Sequence, residues 1–170
     1  MNLRAIEPED LEWIQEMRNS REVYSHVRER RLLTEADQRL WYEGLATDGN
    51  RRRYYVWTEY DHRGIVGLTN LDWLNRSGEV ALMTDPLGAE PDALTVLVDH
   101  AFNVLGLHRL YTDTITDRRA QVFQAAGFQE EGLATQAYWR DGQWISARRW
   151  FRLATHPASG PQTPAAPLPG

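Results

Sequence analysis

Two of the most reactive side chains are missing from this chain of 170 residues: there is no cysteine, and all 19 basic residues are arginine, so there is no lysine either. Without cysteine there is no disulfide, no thiolate nucleophile and no Cys-based zinc site. Without lysine there is no Schiff-base chemistry and no Walker-type phosphate loop. The five histidines are scattered without ligand spacing, and no metal is expected. Long apolar runs are missing as well: nothing reaches the roughly 18 residues of a membrane span, and the opening MNLRAIEPED lacks the apolar stretch of a signal peptide. The expectation is a cytoplasmic protein without a membrane partner. A formal charge of −5 argues against general nucleic-acid binding, although Arg28, Arg30 and Arg31, and then Arg51, Arg52 and Arg53, form two basic clusters. Such runs read first as solvated surface.

What is present is a chain with 42% hydrophobic residues, long enough for one domain that buries roughly 70% of its unfolded surface. Leu3 to Ile6 reads as a short strand, and Pro8 suits the first turn of a helix in which Leu11, Ile14 and Met17 share a face as far as Asn19. Thr34 with Asp37 three residues on forms a capping box for a second helix, whose apolar side is expected to be Leu40, Trp41 and Leu45. Tyr54 to Glu59, Ile65 to Leu71 and Val80 to Met83 are strand-like runs separated by turns, and predict an antiparallel meander. Ala93 to Leu105 carries the strongest helical pattern, with Gly106 to stop it. His108 to Ile115 is a strand. Asp117 is a candidate N-cap for a short helix through Ala126, which Gly127 ends before Phe128 opens a last strand pair. Asp141-Gly142 is a two-residue hairpin signal between Ala137–Arg140 and Gln143–Phe151. From Ala154 onward the Pro/Ala-rich segment cannot build a core and reads as a disordered tail, which leaves residues 1–153 as a single domain.

Four stretches in this order carry a resemblance: MRNSREV after the first helix, LTEADQRLWYEGL for the second, DHAFNVLGLHRLYTDT for the long helix and next strand, and AAGFQEEG with its Gly-Phe followed by Glu-Gly. The chain resembles the GCN5-related N-acetyltransferases (GNAT), in particular the branch of ribosomal-protein N-terminal and nucleotide-linked amino-sugar acetyltransferases. The resemblance covers about residues 1 to 153. It implies an α+β fold of three layers, an α/β sandwich. Helices would cover both faces of a mixed, mostly antiparallel twisted sheet, with a splay between the fourth and fifth strands.

The resemblance also implies acetyl transfer from acetyl-CoA to an amine, which requires a pyrophosphate cradle, oxyanion donors and a proton route. The family's cradle is a Gly-rich loop before the long helix. Here only Leu87, Gly88, Ala89, Glu90, Pro91 and Asp92 precede that helix, roughly four residues fewer than such a nest takes. Pro91 removes a donor, and Glu90 and Asp92 would repel a pyrophosphate while satisfying the positive helix end themselves. In the family the pantetheine adds as a strand within the splay, which corresponds to Leu82, Met83 and Thr84 facing Tyr111 to Asp113. The cofactor-binding set implied is therefore Leu82, Met83, Thr84, Gly88 and Ala89, with Asp117, Ala120 and Phe123 on the next helix. Phe123 stands where many members place a Tyr acid, and it has no hydroxyl. Arg118 and Arg119 either replace lost phosphate contacts or are simply solvated.

The general base implied is Glu79, with Asp113 and His108 as weaker candidates. The acceptor would meet Arg18, Asn19, Tyr24, His26, Trp41 and Tyr42. That acceptor is a small-molecule amine, an amino sugar or a protein N-terminus. Two other readings stay open: a catalytically impaired member whose cleft takes another ligand or a protein, and a scaffold acting through its basic loops and tail. The terminal hairpin leaves an edge that could pair across a two-fold axis to make a homodimer.

Overall fold

In the computed structural model, which describes residues 3–24, 31–85 and 88–155, the alternating runs become seven strands of a single sheet. They are β1 (Leu3–Arg4), β2 (Arg53–Glu59), β3 (His62–Asp72), β4 (Ser77–Asp85), β5 (Arg109–Thr114), β6 (Gln129–Arg140) and β7 (Gln143–Leu153), in the spatial order β1-β2-β3-β4-β5-β7-β6. Every neighbouring pair is antiparallel except β4 and β5. That parallel ladder consists of Ser77 opposite Arg109, Gly78 opposite Leu110 and Glu79 opposite Tyr111. Beyond Glu79 and Tyr111 the two strands part, and the expected splay opens there.

The helices are α1 (Leu11–Asn19), α2 (Arg21–Tyr24), α3 (Glu35–Thr47), α4 (Glu90–Asp99) and α5 (Asp117–Ala125). Two apolar clusters divide them between the faces of the sheet. Ile14, Met17 and Val23 pack with Val56 and Ile65 on one side, joined by Trp41, Tyr42 and Leu45 of α3. Leu94, Leu97, Leu110 and Phe123 pack with Val66, Leu68 and Leu82 on the other. Fully buried side chains of this size each contribute roughly 1.5–3 kcal/mol, so the two clusters fix the three-layer arrangement independently of polar detail.

Local chemistry sets the boundaries. The Thr34 hydroxyl accepts from Asp37 N at 3.2 Å, and the Asp37 carboxylate accepts from Thr34 N at 2.9 Å, the reciprocal pair that starts α3. At the start of α1 a 3-10 turn (Pro8–Asp10) leads in, and the Asp10 carboxylate there accepts from Arg4 Nη1 and Nη2 at 2.6 and 2.7 Å, from Glu7 N and from Trp13 Nε1. The Arg4 guanidinium, helped by these N–H donors, holds the Asp10 carboxyl down at about 2. Helix α4 begins earlier than the sequence pattern suggests and continues as a π turn over His100–Val104. Gly106 (φ +68°) and Gly127 (φ +78°) follow the two helices in the left-handed region. Asp141 and Gly142, at φ 49° and 81°, close the β6–β7 hairpin as the sequence indicates.

Three expectations need correction. Leu40 is 68% exposed, because α3 turns Gln38, Trp41, Tyr42 and Leu45 inward at helical spacing and Leu40 lies off that line. The cap of α5 is Thr116, whose hydroxyl accepts from Arg119 N, while Asp117 stands one residue inside, exposed and paired with Arg148 at 3.1 Å. Ala154, read as the first residue of the tail, still donates its N–H to His108 O at 2.8 Å. The tail from 156 to 170 and the loop residue His26 lie outside the described residues.

Candidate active site

Glu79 is the last residue of β4 that pairs with β5, so it stands at the apex of the splay. It is 5% exposed. Its Oε2 accepts from Asn70 Nδ2 at 2.7 Å, with Thr69 Oγ1 at 3.5 Å. Asn70 reaches it because the β3–β4 register slips between Thr69 and Asp72 and Asn70 adopts φ 48°, a left-handed conformation that Asn tolerates better than most residues. A buried carboxylate at the point where two strands part can take a proton from an amine brought into that gap. The weaker candidates lie elsewhere. His108 is exposed just before β5, on the closed side of the ladder, and its N–H donates to Arg76 O at 2.7 Å. Asp113 accepts from Tyr138 OH at 3.2 Å and lies 3.9 Å from Arg149 Nε.

Leu82, Met83 and Thr84 continue β4 along the open side of the splay. Leu82 and Thr84 are buried, and the Thr84 hydroxyl has no hydrogen-bond partner among the described residues. At the far end, Gly88 and Ala89 lead into α4, and Glu90 is 0% exposed. Its carboxylate accepts from Gly88 N at 2.5 Å and from Arg118 Nη2 at 2.8 and 3.1 Å, and lies 3.8 Å from Arg119 Nη1. Asp92, by contrast, is exposed. Arg119 donates through Nη2 to Leu82 O at 3.1 Å, which ties α5 to β4. Burial pushes the Arg119 guanidinium below its usual value, with Glu90 acting in the opposite direction and Arg118 adding to the fall. Neither arginine is merely solvated: each spends its charge on Glu90. Ala120 and Phe123 are buried beneath them, and Phe123 packs edge-on against Phe128 at 5.1 Å.

Of the residues expected to meet the acceptor, those described lie on α1 and α3, on the other face of the sheet. Asn19 is occupied structurally: its Nδ2 donates to Leu33 O and its Oδ1 accepts from Leu33 N, both at 2.9 Å. Arg18 is half-buried on α1, and the Tyr24 side chain is outside the described residues. Trp41 packs edge-on against Tyr54 at 5.3 Å. Tyr42 lines a cavity of about 690 Å³ between α1 and α3, together with Glu12, Glu35, Glu43, Arg39 and Gln38. Gln38 is 1% exposed, and neither atom of its carboxamide has a hydrogen-bond partner among the described residues. Among the described residues no cluster of His, Asp or Glu could hold a metal, and no helix is long and apolar enough to cross a membrane.

The model of the acetyltransferase (GNAT) domain family matches residues 1–129. The chain belongs to the GNAT acetyltransferase family. As a GNAT acetyltransferase it takes acetyl-CoA as co-substrate and an amine as acceptor, and its seven-stranded sheet with the β4–β5 splay is the family fold. Among its relatives, the spermidine N(1)-acetyltransferase of Vibrio cholerae serotype O1 is 24% identical over 162 residues, which is 90% of this chain and 92% of that protein. The spermidine N(1)-acetyltransferase of Escherichia coli K12 is 24% identical over 155 residues, 88% of this chain and 83% of that protein. The crystal structure of the Vibrio cholerae spermidine N-acetyltransferase in complex with CoA and spermine superposes with a TM-score of 0.80 at 24% identity, covering 89% of this chain and 94% of that one. These relatives do not support the narrower resemblance to the ribosomal-protein and amino-sugar branch.

Reading the sequence of this acetyltransferase missed two features of its site. The contact from Asn70 to Glu79 depends on a strand bulge that no residue spacing announces, although an Asn inside a strand-like run is a signal of irregular backbone. Glu90 and Asp92 look equivalent in the sequence, and burial alone separates them.

Proposed function

We propose that this acetyltransferase moves the acetyl group of acetyl-CoA onto a small-molecule amine of the polyamine class, with Glu79 as general base. The reading rests chiefly on one observation: a buried carboxylate at the apex of the β4–β5 splay, held by Asn70. The pantetheine arm would lie along Leu82, Met83 and Thr84, using main-chain groups that the parting of the strands leaves without a ladder partner. The Glu79 carboxylate takes a proton from the acceptor ammonium, and the freed amine nitrogen bonds the thioester carbonyl carbon. The C–S bond then breaks as the nitrogen sheds its second proton to solvent, and the departing thiolate takes a proton from solvent, since Phe123 offers no acid.

Two observations favour a polyamine as acceptor. The relatives named above are spermidine acetyltransferases. In addition, three carboxylates, Glu12, Glu35 and Glu43, line the cavity beside α3, where Arg39 is already paired with Glu35 at 2.7 Å. An acidic concave wall raises the local concentration of a polycation. Arg18, Tyr24 and Trp41 are the further candidates for orienting the acceptor. The proposed setting is the cytoplasm, in keeping with a chain free of cysteine, and the open edge of β6 at the end of the sheet is the proposed site of self-pairing.

The absence of cysteine also makes the test direct, because a thiol reagent then reports released coenzyme A without protein background. Spermidine, spermine, a nucleotide-linked amino sugar and a peptide with a free N-terminus are each supplied with acetyl-CoA. Turnover of the polyamines above the other acceptors is the expected result. Turnover restricted to the peptide or the amino sugar would overturn the acceptor assignment, and no turnover of any of them would overturn the catalytic reading.

A further inference from the structure

At the open end of the splay, the groups that could bind a donor's phosphates are already engaged with one another. The N-terminal end of α4 carries the partial positive charge of the helix and lies beside the Gly88 N–H, which together suit an anion. Glu90 supplies that anion from within the chain. Its buried carboxylate takes the Gly88 N–H and two hydrogen bonds from Arg118, and Arg119 lies beside it. Arg119 in turn donates to Leu82 O on β4, so the same cluster reaches into the splay. One carboxylate thus draws on the backbone donor, the helix dipole and both guanidinium groups.

We infer that Glu90 is an internal stand-in for the donor's diphosphate, and that it sets donor specificity by holding Arg118, Arg119 and Gly88 N–H in place of the ligand. The inference rests on the reading of the splay as the acyl-donor cleft. A diphosphate entering this end meets two guanidinium groups already drawn onto Glu90, which offsets one of their two charges, and a buried carboxylate of its own sign, so it adds little to affinity. Donor recognition then falls to the thioester and pantetheine arm. Neutralising Glu90 without changing its size releases both arginines for phosphate, which they bind through charge-assisted, forked hydrogen bonds.

The test compares two donors, acetyl-CoA and S-acetylpantetheine, on the full-length protein and its E90Q and E90D variants, with binding measured by calorimetry and folding checked by thermal unfolding. The wild-type protein is expected to bind the two donors within about threefold of each other. E90Q is expected to tighten acetyl-CoA by about tenfold, equivalent to about 1.4 kcal/mol, to leave S-acetylpantetheine unmoved and to acquire competition by inorganic pyrophosphate. E90D, which withdraws the carboxylate by one methylene, is expected to move in the same direction by less. A variant that folds but leaves the ratio of the two affinities at its wild-type value, or weakens both donors equally, would overturn the inference and leave Glu90 as a structural cap. If the wild-type protein and both variants bind neither donor at millimolar concentration, the acetyltransferase reading falls together with the inference.

Discussion

Strand β4 and the start of α4 place a buried glutamate at each end of the splay, and the two have different partners. Glu79, at the apex, accepts from the neutral amide of Asn70. Glu90, at the mouth, is held by Nη2 of Arg118, by the nearby Arg119 and by a backbone N–H. Burial is common to both, and the partners differ.

The sharpest way to break this comparison is E79Q. It is expected to lower kcat by about a hundredfold, the low end for removal of a general base, while the KM for acetyl-CoA moves by less than about threefold. A KM effect as large as the kcat effect would make Glu79 a binding group instead. A third buried carboxylate, Asp10, gives a reference for charge held by arginine away from the site. Its pKa is depressed to about 2, chiefly by the Arg4 hydrogen bonds, so its share of stability is complete above about pH 4 and is lost as pH falls through about 2. That share is roughly 2 kcal/mol. D10N should remove it and flatten the stability profile between those limits, as read by denaturant unfolding at several pH values. E90Q follows, with the about tenfold gain in donor affinity set out above. The smallest effect is expected from N70A, which removes one hydrogen bond from Glu79: a fall in kcat of roughly three- to tenfold with little change in either KM.

Much of the fold was legible because local signals agreed with each other. The Thr34–Asp37 box, the stop at Gly106 and the Asp141-Gly142 turn are short-range devices whose partners lie within a few residues. The order of helices and strands followed from them, and with it the splay that defines the family. Where the reading failed, the deciding contact came from elsewhere in the fold. Leu40 was expected inside because leucine usually is, yet the inward line of α3 runs through Gln38. The cap of α5 passed from Asp117 to its neighbour Thr116, a shift of one residue that only backbone geometry determines. At the site, Glu79 was a candidate only through the family resemblance, which implied a base near the start of the fourth strand. The tether of Glu79 to Asn70 and the closure of Arg118 and Arg119 on Glu90, 28 and 29 positions away in sequence, were not legible. Side chains brought together from different elements are set by packing, which residue spacing does not encode.

The central claim is that this chain acetylates a polyamine with Glu79 taking the proton. The measurement that bears on it most directly is mass-spectrometric detection of acetylated spermidine after incubating spermidine and acetyl-CoA with the wild-type protein and, in parallel, with E79Q. Catalytic formation of the monoacetylated product by the wild type, falling about a hundredfold in E79Q, is the expected result. Equal product from both proteins would contradict the role of Glu79, and no product from the wild type above the protein-free control would contradict the claim as a whole.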